Sequence, residues 1–261
     1  MDRIITCISV ELLKMRRSTV FLLTFIISIF IPVMCGFMMW IVKNPELATG
    51  LNLVKAKADI FVANADWQSF FNILFMVVGA GGIIIFGFVT SWVFGREYSD
   101  RTVKDILALP VSRNEIVISK FVAVTVWCLL LSGIIFLVGI LSGLIVNLSG
   151  WSLRLLIFSL KTYFITTLMI ILLSFVIGFI ASVGKGYLSP LGFVIFMIML
   201  AQFAGHLGWG TYFPWSIPVL YTGAAGAEQQ AQLSYTSYII VILTGISGFV
   251  GTMLWWQFSD Y

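Results

Sequence analysis

The sequence predicts an all-α integral membrane protein with six transmembrane helices, and two observations carry that prediction. The 261 residues are 60% hydrophobic and 10% charged, with a mean hydropathy of +1.06, whereas soluble domains carry roughly a quarter of their residues as charges. The few charges also divide the chain into uncharged stretches, each longer than the ~20 residues that cross hydrocarbon as a helix.

The stretches are Ser18–Val42, Trp67–Gly95, Phe121–Leu153, Thr162–Gly184, Gly186–Ala227 and Gln229–Ser259. A charge at the bilayer centre costs about 2.5–3.5 kcal/mol even on the lenient insertion scale, so such runs mark spans. The first lacks a small-x-small cleavage site and is too long for a signal-peptide core, so a retained span is expected. The fifth is too long for one helix, and Pro214 and Pro218 would interrupt it. Spans are therefore placed at 18–42, 67–95, 121–146, 162–184, 191–207 and 238–258, with an exterior, re-entrant segment at 208–237.

Before the first span, Ile5, Ile8, Leu12 and Met15 recur at helical spacing, with Arg3, Ser9, Lys14, Arg16 and Arg17 elsewhere on the wheel. That predicts an amphipathic helix over 1–17 on the inner membrane surface. Alternating the loops across the membrane puts Arg3, Lys14, Arg16, Arg17, Arg96, Arg101, Lys104, Arg113, Lys120 and Lys185 on one side. Lys43, Lys55, Lys57, Arg154 and Lys161 fall on the other. The positive-inside rule then predicts both termini cytoplasmic, with Arg154 and Lys161 able to sit on an interfacial helix entering span four.

The net charge of +4 is scattered between apolar runs, which argues against a nucleic-acid partner. Cys7, Cys35 and Cys128 match no disulfide or zinc spacing, and no metal site is expected. Gly178 to Gly186 resembles a phosphate cradle, but it has five residues between its glycines instead of four and Gly186 where a hydroxyl is needed. ATP binding by this chain is not expected. Ionisable groups are essentially absent from the span cores, against an ion-coupled carrier, and His206 alone cannot form a metal or relay cluster. Gly139 with Gly143, and Gly245, Gly248 and Gly251, suit close helix contacts, either internal or between copies. Trp209, Tyr212, Phe213, Trp215 and Tyr221 gather with Pro214 and Pro218 at the expected outer mouth and are a candidate substrate gate.

The cytoplasmic loop at 96–120 is the most patterned stretch. Thr102 with Asp105, and Ser112 with Glu115, each fit a capping box, and Pro110 separates them. A short helix from Val103 to Leu109 is predicted, with Val103, Ile106 and Leu107 on one face. At that length it is unstable alone and needs a surface to dock on, its own bundle or another protein. A second helix from Ser112 is predicted to run unbroken into span three, giving the pair the geometry of a mechanical coupler.

Here the chain resembles the ABC-2-type permeases, within them the six-span bacterial type associated with bacitracin resistance and lantibiotic immunity. The resemblance rests on Glu97, Thr102, Leu107, Pro110, Ser112, Arg113 and Lys120, and on the order of amphipathic helix, six spans and aromatic segment. The family position before the Thr is often Gly, and here it is Arg101. The resemblance implies a coupling helix at Thr102–Pro110 seated on a separate ATPase, with Glu97, Thr102, Val103, Lys104, Asp105, Ile106, Leu107, Pro110, Ser112 and Arg113 as the coupling residues. It implies two ATPase copies that bind the ATP and Mg, a second permease copy or paralogue, and a bacterial cell membrane. The implied cargo is a peptide antibiotic or another amphipathic compound. A membrane scaffold or sensor, or a secondary transporter, are the rival expectations.

Overall fold

Uncharged runs become long helices because lipid leaves backbone amides no partner but each other. A computed structural model describes residues 2–44, 64–108, 110–223, 230 and 232–259, with the side chains of Asp2 and Leu107 outside that description. In chain order these residues form α1 (Asp2–Arg16), α2 (Thr19–Lys43), α3 (Trp67–Met76), a π-helical turn (Val77–Gly81) and α4 (Gly82–Ser99). There follow α5 (Val103–Leu107), α6 (Arg113–Ile145), α7 (Leu153–Val183), α8 (Leu188–His206), α9 (Ile217–Tyr221) and α10 (Tyr235–Phe258). Six helices are long and apolar enough to cross a membrane: α2, α3–α4 taken together, α6, α7, α8 and α10. No strand occurs among the described residues.

The spans differ from the uncharged runs where charge sits on an outward face. Helix α7 starts at Leu153, capped by Ser152, which accepts from the Leu155 amide at 3.2 Å. Arg154 and Lys161 lie exposed in its first turns, so they shortened the predicted span to 162–184 without breaking the helix. In the segment placed at 208–237, a single 3-10 turn (Gly210–Tyr212) and α9 precede α10, which begins at Tyr235. Residues 224–229 and 231 of it lie outside the described residues.

Helix α7 is the centre, packed against α10, α4 and α8, while α6 carries α1 and α2. The small residues make these contacts close. A Cβ on Gly248 would collide with the Val176 backbone, and one on Gly245 would stand 2.9 Å from the Leu172 carbonyl oxygen. Trp67 and Leu74 of α3 fill the space over Gly143 and Gly139, at 2.5 and 2.7 Å from where a Cβ would stand. Both glycine patterns therefore serve contacts inside one chain.

Three helices end in the same way on a residue other than glycine. At Arg101, Asn147 and Lys185 the backbone turns left-handed, with φ of 58°, 55° and 49°, and the next amide reaches back to Glu97, Gly143 or Ala181. These are Schellman ends, in which a C′ residue at positive φ lets the last carbonyls find donors. The phosphate-cradle look-alike is thus the end of α7, with Gly178 packed against Phe94 and Phe121. Likewise Asn147 is the C′ residue of α6.

Candidate functional site

Hydrogen bonds place the end of α1, the ends of α4 and α7, the start of α6 and the end of α10 at one end of the bundle. At this end α1, α4 and α6 converge on five charged side chains. Glu97 (2% exposed) and Lys120 (0%) pair at 2.7 Å, deep between α4 and α6. Glu11 of α1 lies 3.6 Å from Lys120 and from Arg96, and Lys14 reaches Glu11 at 2.9 Å and Glu97 at 3.3 Å. Lys120 also donates to the Val93 carbonyl at 3.2 Å, and the Arg96 guanidinium lies 4.5 Å over the Trp92 ring. Burial works against the Glu11 carboxylate, but Lys120, Lys14 and Arg96 outweigh it and hold its carboxyl below the usual range.

Such a cluster ties elements together more than it stabilises the fold. Two buried opposite charges roughly offset their lost hydration, but removing one partner leaves the other buried and uncompensated, at about 3–5 kcal/mol. The α1, α4 and α6 ends therefore move as a unit or break the cluster.

Beside it stands α5. Thr102 was expected to cap this helix through its hydroxyl, and it does not: no side-chain cap bond forms, and the helix ends at Leu107, with Leu109 outside the described residues. The left-handed turn at Arg101 leaves Thr102 at φ −94°, ψ 2°, away from the extended conformation that aims a capping hydroxyl at the helix. The Thr102 amide instead donates to the Glu97 carbonyl at 2.9 Å, closing α4. Ser112 does form its capping box: it accepts from the Glu115 amide, and Glu115 accepts from the Ser112 amide at 2.9 Å.

Helix α5 docks on its own bundle. Val103 is buried and Ile106 half-buried, whereas Lys104, Asp105 and Pro110 are exposed. Ile106 joins Thr6, Cys7 and Val10 of α1 and Ile116 of α6 around a groove of about 160 Å³. Arg113 donates to the carbonyls of Trp256, Gln257 and Ser259 at 2.9, 3.2 and 3.1 Å, tying the start of α6 to the end of α10. Glu11 and Lys14 were not singled out in the sequence. Their signal was an acid in the middle of α1, three residues before a Lys.

The opposite end is held differently. Lys43 donates to the Val146 and Asn147 carbonyls at 2.8 and 2.7 Å, and rings do the rest. The five aromatic residues do not form one cluster. Trp209 and Tyr212 are exposed, Trp215 is buried between Phe193 and Phe213, and Tyr221 packs edge-on against Tyr238 of α10 at 6.1 Å. Helix α9 rests on the π-turn, where the Val219 backbone comes within 3.4 Å of the place a Gly79 Cβ would take. Two neighbouring cavities of about 240 Å³ each share Gly205, His206 and Leu220, with Gln202 and Ser216 lining one and Thr211 and Gln232 the other.

Residues 7–201, a stretch holding the whole ionic cluster and α5, match the model of the family described as ABC-2 family transporter protein. The chain belongs to that family. It is also 29% identical over 180 residues to the bacitracin transport permease protein BCRB of Bacillus licheniformis, covering 69% of this chain and 85% of the relative. No solved structure matches. Membership makes the chain a multi-pass membrane permease subunit of an ABC transporter, and it implies an ABC ATPase partner.

Proposed function

We propose that this permease forms half of an export pathway, with a second permease half, and that the exposed side of α5 receives the stroke of a separate ATPase. One observation carries the proposal: a short helix presents Lys104 and Asp105 outward while its inner side seats on the α1, α4 and α6 ends joined by the Glu97–Lys120 cluster. A push on α5 would then displace three elements together. The stiff path would end at the π-turn, since α4 beyond it carries the cluster and α9 rests on the turn itself. ATP and Mg belong, in this reading, to two copies of the ATPase, and each ligand shifts the pathway only by its differential affinity for the two states. The cluster end faces the cytoplasm of a bacterial cell, as the distribution of Lys and Arg supports.

The relative's name points to bacitracin or another amphipathic peptide as cargo. A cavity of about 350 Å³ lined by Val20, Phe88, Ser91, Trp92, Tyr187 and Leu191 at the cluster end, mostly apolar with one hydroxyl and one phenol, suits such a compound entering from the bilayer. Reconstitution in vesicles with the partner ATPase tests this. Bacitracin should raise ATP hydrolysis and accumulate on the far side, and Trp92→Ala should weaken both. A membrane scaffold would show no stimulation, and a secondary transporter would export with a catalytically dead ATPase.

A further inference from the structure

A further cavity, of about 500 Å³, lies at the corner between α1 and α2 and is lined by Arg16, Arg17, Ser18, Thr19, Phe21, Leu22 and Phe25. Its chemistry is split. Two guanidiniums stand at one side, and three apolar side chains descend along the first turns of a membrane span from the other. Both arginines are exposed, and none of the described carboxylates lies within ion-pair distance of either. The contrast with nearby cations is sharp. Lys14, Arg96 and Lys120 are each within ion-pair distance of Glu11 or Glu97, and Arg113 donates to carbonyls.

The corner is also rigid. The Ser18 hydroxyl donates to the Met15 carbonyl at 2.9 Å and accepts from the Phe21 amide at 3.0 Å, fixing the two helices to each other. Phe21 packs on Trp127 at 5.4 Å between centroids, so the apolar wall is set by the bundle. Arg16 and Arg17 immediately precede a membrane span, so they sit at headgroup depth.

We propose that this corner binds the phosphate of an anionic glycerophospholipid, with Arg16 and Arg17 holding the headgroup and Phe21, Leu22 and Phe25 lying along an acyl chain. Arginine suits the role because its planar fork matches phosphate oxygens in pairs. The apolar wall separates a lipid from a free anion, which has nothing to place there. Lipid binding anchors the corner at which the surface helix, and with it Glu11 and Lys14, joins the membrane. It is independent of which substrate moves.

The test uses the full-length chain in nanodiscs holding equal phosphatidylglycerol and phosphatidylcholine, with retained lipids counted by native mass spectrometry. Two arginines near an anionic headgroup predict a preference for phosphatidylglycerol of roughly tenfold to thirtyfold. R16Q/R17Q should reduce it to about equal, R16K/R17K should keep only the part that charge alone supplies, and R3Q/K185Q at the same end should keep it all. Equal retention by the wild type, or an undiminished preference in R16Q/R17Q, overturns the proposal. So does displacement of the lipid by millimolar inorganic phosphate, which would mark a free-anion site. If R16Q/R17Q loses its monodisperse elution, the single R16Q and R17Q variants give the same reading, each expected to lose part of the preference.

Discussion

The two ends of the bundle solve one problem with different chemistry. At the cluster end, α1, α4 and α6 are joined by five charged side chains, two of them 2% exposed or less. Away from the cluster, the segment carrying α9 is joined to α8 and α10 by rings, Phe193 on Trp215 near the start of α8 and Tyr221 on Tyr238 near the start of α10. Charge pairs at 2.7–3.6 Å are intolerant of small displacements when buried, whereas ring contacts near 6 Å can slide. The difference suggests a stiff end that passes motion on and a compliant end that opens to a substrate.

Removing a charge should separate them most. Lys120→Met leaves Glu97 and Glu11 undercompensated and should cost about 3–5 kcal/mol, read as a lower Tm in detergent. Adding Glu97→Gln should recover much of it, a recovery that would be absent if Lys120 acted through packing alone. At the compliant end, Trp215→Ala should cost about 3 kcal/mol through the cavity it leaves. Trp215→Phe should be nearly neutral, because the indole Nε1 has no acceptor among the described residues.

Acid should loosen the two ends unequally. The Glu11 carboxyl is depressed below its usual value of 4.5, so its stabilisation is present above that value and is lost as pH falls through the lower folded value. Hydrogen exchange on α1 should therefore accelerate below pH 4.5 while α9 stays unchanged, and equal acceleration would dissolve the contrast. The smallest effect is a gain: Arg101→Gly removes a side chain from a left-handed position and should stabilise the α4 end by about 0.5–1 kcal/mol.

Most of the fold was legible because lipid makes charge expensive, so gaps between charges marked the helices. At Arg154 and Lys161 the rule marked a span start inside a longer helix, which begins at Leu153 and leaves both residues exposed, as an interfacial helix entering span four would. Ser112 was legible as a cap because its box is local. Thr102 was not, because the left-handed turn at Arg101 set its backbone, and the signal for that was the Gly that the family often carries at this position. The cluster was half legible. Glu97 and Lys120 belonged to the recognised pattern, but Glu11 lies 86 residues before Glu97, and only tertiary packing brings them together. The glycine repeats left internal and intermolecular contacts open until Val176 and Trp67 were seen to occupy the space.

Coupling through α5 is tested most directly by co-purifying the permease with its ABC ATPase partner, comparing wild type with Lys104→Glu, Asp105→Lys. Both side chains are exposed, so the membrane fold should survive, with unchanged Tm and elution. If α5 receives the ATPase, the variant should lose the complex or at least tenfold in affinity, together with substrate-stimulated ATP hydrolysis. Undiminished binding and stimulation in the variant would contradict coupling through this helix.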